Sequence, residues 1–107
     1  MEKLNLADSL PDLAQELERL LVAKDELALA AQVRELQIVD RCRCRDEFCS
    51  MFYVQPRPKG AYGPGHRNVS LRPEKGMLIL DVVDDRIVAV EVLHRDEIRE
   101  KIHALFP

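Results

Sequence analysis

Leucines at positions 10, 13, 17, 20 and 21 recur at helical spacing, with Asp12, Gln15, Glu16, Glu18 and Arg19 between them on the opposite face. Pro11 falls in the first turn, where its missing N–H costs nothing, and Ser9 followed by Asp12 resembles a capping box. The pattern weakens at Lys24-Asp25. Asp25 is then expected to cap a second short helix through Glu26 to Arg34, burying Leu27, Ala30, Ala31 and Val33. One continuous helix from Leu10 to Leu36 competes, since neither glycine nor proline interrupts it after the first turn. The loss of periodicity favours two.

Beyond Leu36 the period shortens to two. Gln37 to Cys44 and Phe48 to Gln55 read as strands joined by a tight turn around Arg45-Asp46-Glu47, and Pro56 and Pro58 end the second. Residues 57–67 hold three of the four glycines and form the longest loop. Asn68 to Arg72 is a third strand and residues 73–76 a turn. Met77 to Val83 and Arg86 to Leu93 make the clearest hairpin. The apolar rows Leu78, Leu80, Val82 and Val88, Val90, Val92 share a sheet face only across an odd-numbered loop, because a one-residue slip flips every side chain. A three-residue loop, Val83-Asp84-Asp85, satisfies this and pairs Val82 with Arg86, Leu80 with Val88 and Leu78 with Val90. A last helix starts near Asp96 and buries Ile98, Ile102, Leu105 and Phe106. The predicted fold is a single α+β domain over residues 1–107. It has N-terminal helices, a five-stranded, mostly antiparallel meander sheet, and a C-terminal helix packed on that sheet.

Composition narrows the function classes. Hydrophobic residues make up 47% and charged residues 33% of the 107, which suits a folded domain and argues against disorder. No apolar run approaches the ~20 residues of a membrane span. The N-terminal residues lack the pattern of a secretory signal, so a cytoplasmic location is expected. The formal charge of −3 hides a segregation: residues 1–40 carry −5, residues 41–75 carry +5 and residues 76–107 carry −3. A basic middle suits an anionic or macromolecular surface, whereas mutual neutralisation on folding removes it.

The chemistry concentrates in Arg41-Cys42-Arg43-Cys44-Arg45-Asp46-Glu47-Phe48-Cys49, which contains all three cysteines. Cys42, Cys44, Cys49 and His66 supply donors that zinc accepts, although C-x-C-x4-C departs from the usual knuckle spacing. Reduced thiols packed as small hydrophobes are the first reading, with zinc and a redox pair as alternatives. Cys44 or Cys49 with His66 and Asp81 would form a thiol–imidazole–acid set; a non-catalytic protein is expected over a thiol enzyme. Asp81 and Glu91 interrupt apolar strands on one face. In the three-residue-loop registry they lie too far apart to touch, and each is expected to anchor an arginine such as Arg72 or Arg41. In the long loop, Lys59, Tyr62, His66 and Arg67 combine cations with one aromatic and are the expected binding residues, toward a protein partner before nucleic acid. Self-association is a further expectation.

Residues Gly76 to Leu93 resemble the strand–turn–strand of small bacterial domains of unknown function of the DUF2283-like kind, where a hydrophobic-Asp run, a turn and a hydrophobic-Glu-hydrophobic-Leu ending recur. Asp85 stands where such domains often have glycine. The resemblance implies a bacterial accessory, immunity or antitoxin-like protein and carries over no catalytic residue. A zinc-stabilised module and a small thiol enzyme remain the alternatives.

Overall fold

The computed structural model describes residues 4–107. Leu4–Asn5 (β1) pairs antiparallel with Gln37–Ile38 (β2), and the Leu6 N–H bonds the Leu36 carbonyl at 2.9 Å. The two ends of the helical segment are thereby fastened together. Asn5, not Ser9, provides the N-terminal cap: its Oδ1 accepts from the Asp8 N–H at 2.9 Å and starts a single turn, Leu6–Ser9 (α1). Pro11–Ala23 (α2) follows directly. The Leu10 N–H already bonds Leu6, so no Ser9 cap forms.

The break at Lys24-Asp25 is real, and its cause lies in the backbone. Asp25 adopts a left-handed conformation, φ 64°, the Asp25 N–H bonds Val22, and the Glu26 N–H reaches back to Leu21 at 2.8 Å. This is the Schellman closure, built here without glycine. The chain restarts as Leu27–Ala30 (α3) and a 3₁₀ turn, Val33–Glu35. Because it restarts after a left-handed residue, its inner face is Leu29, Ala30 and Val33. Leu27 is 58% exposed and Ala31 is also outside, against expectation.

The main sheet comprises Asp40–Arg41 (β3), Phe52–Tyr53 (β4), His66–Leu71 (β5), Met77–Val83 (β6) and Arg86–Leu93 (β7). It is antiparallel throughout, in the order β3-β4-β7-β6-β5. β7 is therefore central, and residues 54–65 must carry the chain from β4 past two strands to the far edge. The β6–β7 turn has two residues, Asp84 and Asp85, at φ 49° and 64°, the geometry of a type I′ turn. The extra residue that side-chain parity demands sits inside β7 instead. Asp81 pairs with Ala89 and Val82 with Ile87, leaving Val88 as a bulge. The pairing expected from a three-residue loop is consequently displaced by two: Leu80 faces Val90 and Leu78 faces Val92.

One sheet face, with Phe52, Val69, Leu71, Leu78, Leu80, Val82, Ile87, Val90 and Val92, joins Leu13, Leu17 and Leu21 of α2 in a single core. Ile98 and Ile102 of Asp96–Leu105 (α4) complete it. Gly76, at φ 71°, lets the chain enter β6. A Cβ there would press on the Leu93 carbonyl and the Arg95 side chain. The opposite sheet face has a small apolar cluster, Val39, Met51, Tyr53 and Ala89, and elsewhere mixes Met77, Ile79 and Val83 with Asp81 and Glu91 along β6 and β7.

Candidate metal centre

The two strands expected to flank the cysteines shrink to β3 and β4. After the Cys42 N–H bonds the Met51 carbonyl at 2.8 Å, the chain leaves the sheet and returns only at Cys49, which bridges to Leu93. Residues 43–48 thus form a loop that is irregular up to a turn closed at Asp46–Cys49, since four charged side chains and no apolar alternation leave the segment no face to bury. The loop is held firmly at both ends. Arg41 donates from Nε to the Phe106 carbonyl and from Nη1 to the Cys42 carbonyl at 3.1 Å. Arg43 donates to the Pro107 carbonyl and to Asp40, each at 3.0 Å. On the other side the His94 N–H bonds Phe48, the Ser50 N–H bonds Val92, and the Phe48 and His94 rings stack at 5.0 Å.

Held in this way, the three thiols converge. The sulfurs of Cys42, Cys44 and Cys49 all lie within 4.8 Å of one another. None is fully buried, which corrects the reading of packed apolar cysteines: Cys44 is exposed and the other two are partly covered. Their environments differ. A hydrogen bond from the Asp46 backbone N–H, followed by one with Cys49, holds the Cys44 thiol below its ordinary range. Burial, partly offset by a hydrogen bond with the Met51 backbone, pushes Cys49 up to about 12. Around a tetrahedral zinc, with Zn–S of ~2.3 Å, sulfurs stand ~3.8 Å apart. The loop therefore needs to contract by less than about 1 Å to chelate.

His66, the expected fourth ligand, is not in this group. It sits on β5 with Nε2 at 2.9 Å from Asp81 Oδ1 and its ring against Tyr62, centroids 4.8 Å apart. No thiol–imidazole–acid set is assembled there, since His66 and Asp81 meet without a cysteine. The Asn68 amide donates to the same Asp81 oxygen at 2.7 Å. Glu91 completes a second constellation, which the sequence reading placed out of reach. The two-residue displacement of the hairpin sets it diagonally beside Asp81 on the same face. Burial, the hydrogen bond with Asp81 and the Asp81 charge raise Glu91 to about 7. Neither carboxylate takes Arg72 or Arg41 as an anchor; Asp81, 4% exposed, is satisfied by His66 and Asn68. Tyr62 lies over this cluster from the 54–65 crossing, and burial, then the Asp81 charge, raises its hydroxyl to about 12. Arg57 lies 5.9 Å above the Tyr53 ring on the same face.

The remaining loop residues diverge. Lys59 is exposed, whereas Arg67 makes a two-pronged bond to Glu26 at 2.9 and 3.2 Å, which raises the arginine and lowers the glutamate. Comparison with protein families, curated proteins and solved structures finds no match. The hairpin resemblance thus rests on its own residues.

Proposed function

We propose that Cys42, Cys44 and Cys49 bind one zinc ion as thiolates, making the protein a zinc-stabilised, non-catalytic module. The observation that carries this reading is the convergence of three sulfurs in a loop without regular secondary structure. Such a loop gains little from packing, so ordering it by a metal is a physical function for the thiols. The Asp46 backbone N–H already favours the Cys44 thiolate, and zinc is a borderline-soft ion well matched to sulfur. With no imidazole in the group, the fourth position falls to water or to an external donor.

Protein purified without chelator, analysed by elemental mass spectrometry, tests the reading. About one zinc per chain is expected, with Cys44→Ser lowering affinity at least about 100-fold. Protein that is folded and fully reduced yet holds no stoichiometric zinc, and takes up none on titration, would refute it.

A further inference from the structure

The same loop carries a second chemistry. It rests partly on the metal reading but has its own observable. Two of the sulfurs differ in access: Cys44 is exposed, and Cys49, bridged to Leu93 of β7 through its backbone, is partly covered. They lie within 4.8 Å of one another, and the turn Asp46 to Cys49, closed by the Cys49 N–H on the Asp46 carbonyl at 3.2 Å, folds one cysteine back onto the other. Four residues separate this pair, enough for relaxed disulfide geometry. Cys42 and Cys44 have one residue between them, and a bond there would close a small, strained ring.

We infer that hydrogen peroxide oxidises Cys44 and Cys49 to a reversible disulfide, with Cys44 the sulfur oxidised first, and that this step expels the metal. Cys44 attacks one peroxide oxygen: an S–O bond forms, the O–O bond breaks, and the departing hydroxide takes a proton to leave as water. The Cys49 sulfur then attacks Cys44: the S–S bond forms, the S–O bond breaks, and the sulfenic oxygen leaves as a second water. Two electrons pass from the two sulfurs to one peroxide, and a dithiol reductant reverses the change. A zinc ion left with Cys42 alone has lost two of its three thiolates and dissociates. Exposure directs the first step, because sulfur oxidation follows access and Cys44 alone of the three is exposed.

The test has two arms. In the first, reduced, zinc-loaded protein is treated with one equivalent of hydrogen peroxide. Zinc release is followed with a chromogenic chelator, and the disulfide is located by peptide mapping without reduction. One zinc is expected per Cys44–Cys49 bond, and dithiothreitol should restore binding. In the second arm, reduced, metal-free protein receives the same peroxide, and the same bond is expected. Cys49→Ser should abolish it, whereas Cys42→Ser should keep it. Oxidation of Cys44 to sulfinic acid without a bond, a Cys42–Cys44 or intermolecular bond, or retention of zinc after oxidation overturns the inference. Absence of zinc in the first arm with the expected bond in the second sinks the metal reading alone.

Discussion

Glu91 shows how one side chain converts a registry into a pH dependence. Its carboxyl ordinarily titrates near 4.5, but on the sheet face it does so at about 7. Between those values the unfolded chain has lost the proton and the folded one keeps it, so each rise in pH across that window favours unfolding. Below 4.5 both states are protonated and the group is neutral in its effect. Its neighbours are Asp81 on β6, His66 and Asn68 on β5, and Tyr62 on the crossing loop, of which His66 opposes the rise. Glu91→Gln keeps a donor for Asp81 and removes the titration. It should leave stability at pH 4 nearly unchanged and raise it at pH 8 by about 1–2 kcal/mol, an amount already reduced for solvent screening. Urea unfolding at the two pH values measures this; an unchanged pH slope in the variant would disprove the assignment. Sequence alone marked Asp81 and Glu91 as intruders on apolar strands but misjudged their separation. The cause is local: a bulge at Val88 is invisible in a pattern where Ile87, Val88, Ala89 and Val90 are all apolar.

At the level of elements, legibility follows how many residues vote on each boundary. β6 and β7 coincide with the residues expected, and α4 begins at Asp96, because long apolar runs are punctuated by clear breaks. The strands around the cysteines shrink because Phe48 to Gln55 has the look of a strand, yet only Phe52 and Tyr53 pair with a neighbour on each side. The convergence of the sulfurs was legible only as proximity in sequence; the tethers from Arg41 and Arg43 to the C-terminal carbonyls span more than sixty positions, beyond any local pattern. The β6–β7 turn offers a direct check on the hairpin. Two consecutive left-handed aspartates carry a cost that glycine avoids, so Asp85→Gly should stabilise the protein by about 0.5–1 kcal/mol, read as a rise in melting temperature. Gly76→Ala should act in the opposite sense by about 2 kcal/mol or more, because its left-handed backbone and the Leu93 carbonyl leave no room for a Cβ.

Across the whole molecule, the charge segregation visible along the chain is partly closed by folding. Arg67 from the basic middle meets Glu26, Lys75 meets Glu97 at 3.6 Å, and Arg43 meets Asp40. Reversal of Arg67 therefore tests stability as much as recognition, and Lys59, exposed at the loop, is the cleaner position for probing a macromolecular partner. One of these bridges does more than neutralise. Arg95, with a side chain 12% exposed, donates to both Glu16 oxygens at 3.2 and 3.0 Å, to Glu97 at 2.9 Å and to the Lys75 carbonyl at 3.3 Å. It ties α2, the turn before β6 and α4 at one point, and Glu16 with Glu97 holds its guanidinium charge in place. A surface pair contributes little, but truncating one partner of a mostly covered, two-pronged pair leaves Glu16 uncompensated. Arg95→Ala should thus cost on the order of 2 kcal/mol, and Arg95→Lys should recover only part of it because a point charge cannot satisfy the fork. If Glu16→Gln in the Arg95→Ala background restores stability, the loss is the unpaired carboxylate; if it adds a further full loss, the two side chains act separately and the tether does not exist as described.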